Sequence, residues 1–181
     1  YHSYAAKMPL CDYHCHLNPQ EIYEDRRFND LAEVWLGGEA PDGSFAGDHY
    51  KWRLMRNFGV DEECITGKST TNKEKFLAYC KTLSTAFGNP LYHWSQVELR
   101  EFFNCELEIN EENAELIWDW CNEYIALNKI TPQKLIEQSN VTHIFTTNEI
   151  FTRYNLLVFI HPKIRILCFK SKQFKNMRPK I

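Results

Sequence analysis

The sequence predicts an α/β fold in which a first strand, a long helical stretch and a second strand follow one another. Two observations carry this. Residues 8–17 form a short apolar run that passes into alternating polar positions, and the hydrophobic spacing returns to a strand period near residue 141 only after a long stretch of helical spacing. Composition is the third: 44% hydrophobic and 25% charged residues over 181 positions describe a globular chain with a sizeable core, either one domain or part of a larger one.

The first strand is Met8-Pro9-Leu10-Cys11-Asp12-Tyr13-His14-Cys15-His16-Leu17. Side chains alternate along a strand, so Leu10, Asp12, His14 and His16 are expected on one face and Cys11, Tyr13 and Cys15 on the other. Imidazoles at i and i+2 stand about 6.6 Å apart along the strand. They can lean onto one divalent ion at roughly 2.0–2.1 Å per nitrogen. This reading is preferred to the plainer one, in which the two histidines only hydrogen-bond to neighbours at a buried strand end.

Helical signals follow. Pro19-Gln20-Glu21-Ile22-Tyr23 opens on proline, and Asn29 to Leu36 stops at Gly37-Gly38. Residues 39–47 read as a loop, and residues 48–58 as a helix closed by Gly59. Thr71-Asn72-Lys73-Glu74 and Ser95-Gln96-Val97-Glu98 have the form of capping boxes, for helices reaching about residues 87 and 103. Asn110 is the expected cap of a helix over 111–128 that carries Leu116, Trp120, Tyr124 and Leu127 at helical spacing. Thr131-Pro132 opens one more. Residues 141–147 are β-branched and aromatic, and 164–169 offer a third strand. The organisation read from this is residues 1–18 as first strand and histidine motif, 19–140 as helical insert, and 141–181 as second strand and tail.

Charge is distributed unevenly. All 24 acidic residues precede position 150, whereas the tail carries Arg153, Lys163, Arg165, Lys170, Lys172, Lys175, Arg178 and Lys180. A nucleic-acid or membrane-surface arm would have this composition. The apolar residues 154–160 disfavour a purely solvated arm, and a tail foreign to the fold is the preferred reading. No apolar run approaches a membrane span. Seven cysteines without a CxxC pair fit reduced thiols in a cytoplasmic protein better than a disulfide framework. The opening Tyr1 is no initiator, so the natural N-terminus is expected upstream or processed.

Several words occur together: Asp12-Tyr13-His14-Cys15-His16-Leu17, Trp35-Leu36-Gly37-Gly38, Asp48-His49-Tyr50-Lys51-Trp52-Arg53, Asn89-Pro90-Leu91-Tyr92-His93-Trp94 and Thr146-Thr147. In this order they resemble the uronate (glucuronate) isomerases of the amidohydrolase superfamily, over roughly residues 4–149. The resemblance implies an N-terminal fragment of a (β/α)₈ TIM-type barrel with a large helical insert after strand one. It implies His14 and His16 as ligands of a divalent metal such as zinc, His49 and Tyr50 as contacts of the uronate, and Tyr50 as the candidate proton shuttle. The implied reaction interconverts D-glucuronate and D-fructuronate, or galacturonate and tagaturonate. Residues 39–47 separate two words that the family keeps almost adjacent, and Asn148-Glu149-Ile150 stands where the family has an acidic pair and proline. The family's metal-binding aspartate comes from the last barrel strand, outside the resemblance, so weak metal binding and poor turnover are expected of these residues alone.

Other histidines and tryptophans have plainer readings. His93 suits an aromatic packing corner, His143 a core strand, and Trp118 and Trp120 helix packing. Beyond the uronate, the expected partners are a second copy or a complementing barrel segment, with membrane excluded and nucleic acid disfavoured. A non-catalytic remnant that binds a partner is the alternative, and a hydrolase of the same superfamily a weaker third.

Overall fold

The computed structural model describes residues 1–39, 45–146, 159–160 and 165–168, and the chain divides into two units, residues 1–27 with 131–181, and residues 28–130. Both boundaries fall inside the stretch read above as helical insert, so the helices at its two ends group with the sheet.

The first unit is built on a sheet. Strands β1 (Leu10–Cys15), β4 (Val141–Thr146) and β6 (Arg165–Cys168) are mutually parallel, and β5 (Phe159–Ile160) is antiparallel to β6, in the order β1-β4-β6-β5. The expected strands at 141–147 and 164–169 are therefore present. Residues 165–168 join the ladder as part of the fold, and the rest of the basic tail lies outside the described residues. Helices α1 (Pro19–Glu24) and α7 (Pro132–Gln138) pack with the sheet through Ile22, Ile136 and Ile144. Gln133 ties them polarly: its backbone N–H donates to Asp25 Oδ1 (3.0 Å) and its side-chain amide to the Ile22 carbonyl (2.9 Å).

The second unit holds α2 (Leu31–Leu36), α3 (His49–Asn57), α4 (Asn72–Thr85), α5 (Pro90–Phe103) and α6 (Ala114–Asn128), with a short hairpin β2 (Gly38–Glu39) and β3 (Phe45–Ala46). Its core gathers Trp35, Met55, Phe76, Tyr79, Leu83, Leu99, Phe103 and Ile117. No helix among the described residues is long and apolar enough to cross a membrane.

Local signals explain the helix starts, with three revisions. The Thr71 capping box is formed as read. Ser95-x-x-Glu98 is not a cap: Asn89 caps α5 and Pro90 takes its first position, so Ser95 is buried within the helix, 3.1 Å from the Tyr79 hydroxyl. Asn110 Oδ1 accepts from the Asn113 N–H (2.8 Å) in a turn that delays α6 to Ala114. The buried face of α6 is Ala114, Ile117, Cys121 and Ile125, whereas Leu116, Trp120 and Leu127 are exposed. Both sets have helical spacing, and the smaller side chains form the face that fits against the close-packed core. Finally, part of the expected loop 39–47 pairs as β2 and β3, with residues 40–44 outside the described set.

After α3 the chain is braced by a two-pronged pair, in which Arg56 Nε and Nη2 donate to Glu62 at 2.7 and 2.6 Å, joined by the Thr66 hydroxyl at 2.5 Å. These donors hold the Glu62 carboxyl down to about 2, the Arg56 guanidinium contributing most. A depressed carboxyl contributes stability above its unfolded pKa of about 4.3 and loses it as pH falls through the folded value. Glu62→Gln is therefore expected to flatten the loss of stability between about pH 4.3 and about pH 2, read as the urea midpoint against pH. The pair is exposed, so the difference from the parent should shrink in molar salt.

Candidate active site

β1 does not follow strict alternation. Asp12 lies opposite Ile144 and Cys15 opposite Thr146, so three steps of β1 match two of β4. The register thus shifts between Asp12 and Cys15, and it shifts in the opposite sense between Leu10 and Cys11, so side chains along β1 are re-aimed. Asp12 Oδ1 accepts from the His14 N–H (3.2 Å) across this shift, a local side-chain bond to the backbone. Asp12 and Cys15 thus oppose two β4 residues that alternation puts on one face. This corrects the expectation that Asp12 shares a face with both histidines. Cys15 packs against the Ile22, Ile136 and Ile144 cluster, and burial pushes its thiol up.

His14 and His16 flank Cys15, both exposed, with ring centroids 5.1 Å apart and planes at 85°. They stand at the carboxyl end of two parallel strands, where the Thr146 hydroxyl donates to the Leu17 carbonyl (2.8 Å) and fixes the turn out of β1. Two imidazoles that each put a nitrogen about 2.0–2.1 Å from one ion, at a tetrahedral angle, hold their centroids about 5 Å apart. The observed spacing fits that requirement. Among the described residues no group of three His, Cys, Asp or Glu side chains is gathered closely enough to hold an ion.

His49 and Tyr50 belong to the helical unit. Asp48 caps α3, its Oδ1 accepting from the N–H groups of Tyr50 (2.9 Å) and Lys51 (3.3 Å). The first turn buries Lys51 and displays His49 and Tyr50, whose rings lie 4.3 Å apart at 33°. The Arg53 guanidinium carbon lies 5.7 Å from the Tyr50 centroid, a neighbour that sequence reading left without a role and that the i, i+3 helical step supplies. This turn stays tied to the end of α2 across β2 and β3. Gly37 and Gly47 meet so closely that a Cβ on Gly37 would lie 1.9 Å from the Ala46 carbonyl oxygen. The hairpin leaves and returns at one point, and Trp52 Nε1 donates to the Leu36 carbonyl (2.9 Å) beneath it.

The remaining residues named from sequence take structural places. His93 is exposed on α5, and His143 is half-buried beside the Thr142 hydroxyl (3.1 Å). Trp118 packs on Phe76, and Trp120 Nε1 donates to the Phe103 carbonyl (3.0 Å).

A parallel sheet with two histidines at its carboxyl edge defines an α/β protein whose chemistry is expected at the strand ends. The glucuronate isomerase family pattern matches residues 1–161, and the chain belongs to that family. It is 49% identical over 149 residues to the uronate isomerase of Lachnospira eligens, covering 82% of this chain and 30% of that protein. It is 48% identical to the uronate isomerase of Halalkalibacterium halodurans, covering 82% and 29%. The crystal structure of uronate isomerase from Thermotoga maritima superposes with a TM-score of 0.66 at 40% identity, over 78% of this chain and 29% of that one. The glucuronate isomerase structure from Caulobacter crescentus, at 20% identity and the same TM-score, shares the fold. The chain thus spans about 30% of the length of the curated relatives it matches.

The glycine contact generates a prediction. Gly37 has φ +90° and ψ −170°, a region where a side-chain-bearing residue costs about 1–3 kcal/mol before any clash. Gly37→Ala adds the clash, whereas Gly59→Ala, at φ +76° with nothing within 4 Å, adds none. Urea unfolding should therefore show Gly37→Ala as clearly the more destabilised variant, with Gly59→Ala within about 1–3 kcal/mol of the parent.

Proposed function

We propose that these residues supply the first part of a uronate isomerase active site, interconverting D-glucuronate and D-fructuronate, or galacturonate and tagaturonate. The observation that carries the reading is the pair of exposed histidines, 5.1 Å apart at the carboxyl end of parallel strands, in a chain of the glucuronate isomerase family. The parallel ladders β1–β4 and β4–β6 support reading the sheet as successive strands of a (β/α)₈ barrel, with antiparallel β5 standing outside that pattern. The free cysteines among the described residues suit a reducing compartment, and the cytoplasm is the location this reading assigns.

Aldose–ketose isomerisation moves a proton between C2 and C1 through an enediol. The Tyr50 hydroxyl, exposed at the first turn of α3, is assigned the proton transfer, and His49 a contact to the sugar hydroxyls. The substrate carboxylate needs a cation, and Arg53 beside Tyr50 is the residue assigned to it. His14 and His16 would hold a divalent ion, zinc by the chemistry of the donors, which when bound polarises a carbonyl or hydroxyl oxygen.

Two measurements test this. Equilibrium dialysis with zinc should show weak binding that disappears in His14→Ala/His16→Ala; tight binding indifferent to that double substitution refutes the ligand assignment. An isomerase assay with zinc or manganese should find turnover in a chain extended to the length of the relatives, falling by about 10²-fold or more in Tyr50→Phe. The 181 residues alone should turn over poorly, because barrel sites assemble from loops after several strands. Robust turnover by them, abolished by His14→Ala, overturns that part. Turnover by neither removes the isomerase reading.

A further inference from the structure

A buried polar cluster drawn from four helices lies beneath the first turn of α3. The Lys51 ammonium stands 3.8 Å from Asp48 Oδ2, at the head of its own helix, and 3.8 Å from Glu98 Oε2 on α5. The Trp35 ring of α2 lies 5.6 Å from that ammonium and 5.9 Å from the Tyr79 ring of α4. The Tyr79 hydroxyl meets Ser95 Oγ at 3.1 Å with both residues fully buried, and Ser95 precedes Glu98 by one turn of α5. Glu98 is thus carried on a fixed face of α5, with its carboxylate turned to Lys51.

At 3.8 Å neither carboxylate hydrogen-bonds the ammonium directly. The attraction is ionic, and burial of the cation strengthens it. Asp48 belongs to the same turn as Lys51 and moves with it, so it cannot fix that turn against its surroundings. Glu98 can, because it stands on another helix. Trp52 supplies a first tie, from its Nε1 to the Leu36 carbonyl at the end of α2. One tie leaves α3 free to roll about it; a second, from Lys51 to α5, removes that freedom. An outer side chain ends about 5–6 Å from the helix axis, so a roll of about 10° moves it by about 1 Å. A misplacement of that size can cost about 10²-fold in rate.

We propose that Glu98 is a positioning residue for the isomerisation, an assignment that rests on the role given to Tyr50 under the isomerase reading. Acting through Lys51, it fixes the roll of α3 and so sets where the Tyr50 hydroxyl stands. Lys51 is turned inward, whereas His49, Tyr50 and Arg53 are exposed, so a shift of the inner tie is carried to all three. Proton transfer is steeper in distance than the contacts that hold a sugar. Loss of the tie therefore falls mainly on kcat.

The test substitutes Glu98→Gln, which keeps the shape and removes the charge. In the chain extended to the length of the relatives, kcat should fall by about 10-fold or more with KM within about threefold of the parent. In the Tyr50→Phe background the same substitution should leave kcat unchanged, because the hydroxyl it positions is gone. Lys51→Met should match Glu98→Gln, and the double variant should be no worse than either. Glu101→Gln, an exposed acid one turn further along α5, should turn over as the parent does. Amide exchange of the 181-residue chain gives a readout independent of turnover. The Tyr50 and Lys51 N–H groups, which donate to Asp48 Oδ1, should exchange about 10-fold faster in Glu98→Gln while those of α6 keep their rates. Equal loss of kcat with and without the Tyr50 hydroxyl, or unchanged exchange at Tyr50 and Lys51, overturns the proposal. A parent without turnover removes the isomerase reading instead, and exchange at Tyr50 and Lys51 then decides alone whether Glu98 fixes the turn. Should Glu98→Gln fail to fold, Lys51→Met carries the same comparisons.

Discussion

β1 and β4 are hydrogen-bonded in parallel, and a parallel pair cannot be closed by a tight turn. The chain must leave the carboxyl end of β1 and return to the amino end of β4, and everything from α1 to α7 lies in that crossover. Ends that are close cost a long insertion little, because closure entropy grows slowly with length. The structure meets this condition at the neck of the helical unit, where the Phe28 N–H donates to the Ile130 carbonyl (3.1 Å). The sheet unit closes its own side through Gln133, Asp25 and Ile22, and through the Leu10 N–H on the Asn140 carbonyl (2.8 Å). A unit of this size can therefore sit inside one crossover without loosening the strand pair.

Elements with a local cause were visible in the sequence. Thr71 and Glu74 satisfy each other at the start of α4, proline opens α1 and α7, and β4 is a run of β-branched and aromatic residues. What sequence missed was decided by competition between adequate local signals. Ser95-x-x-Glu98 is a valid cap pattern, but Asn89-Pro90 lies one turn earlier and the Tyr79 hydroxyl offers Ser95 a partner in the core. On α6 two apolar stripes have the right period, and only the packing of α2, α4 and α5 selects Ile117 and Cys121 over Leu116 and Trp120. Periodicity identifies a helix; it does not say which of two apolar faces the neighbours will cover.

The histidine pair was legible as a pair, because i and i+2 return to one side of an extended chain. The partner residues were not. The register shift at residues 12–15 arises from the match between β1 and β4, a long-range property that no local window contains. Arg53 was within reach of helical spacing from Tyr50, yet its neighbour Lys51 has the same charge and the opposite fate.

The word Asp48-His49-Tyr50-Lys51-Trp52-Arg53 shows how one short sequence can hold an exposed pair on a rigid base. Asp48 acts twice, capping α3 with Oδ1 and standing 3.8 Å from the Lys51 ammonium with Oδ2. Lys51 is only 7% exposed, which would be costly for an unpaired cation. Glu98 of α5 at 3.8 Å and the Trp35 ring at 5.6 Å offset that cost. Trp52 ties the same turn to the end of α2. The inward residues thus fix α3 to α2 and α5, while His49, Tyr50 and Arg53 are left on the outer face, free of any packing duty. A first turn anchored to two helices loses little further order when a ligand binds its outer face. That pre-organisation, rather than any property of the two rings alone, would favour the binding role proposed for His49 and Tyr50.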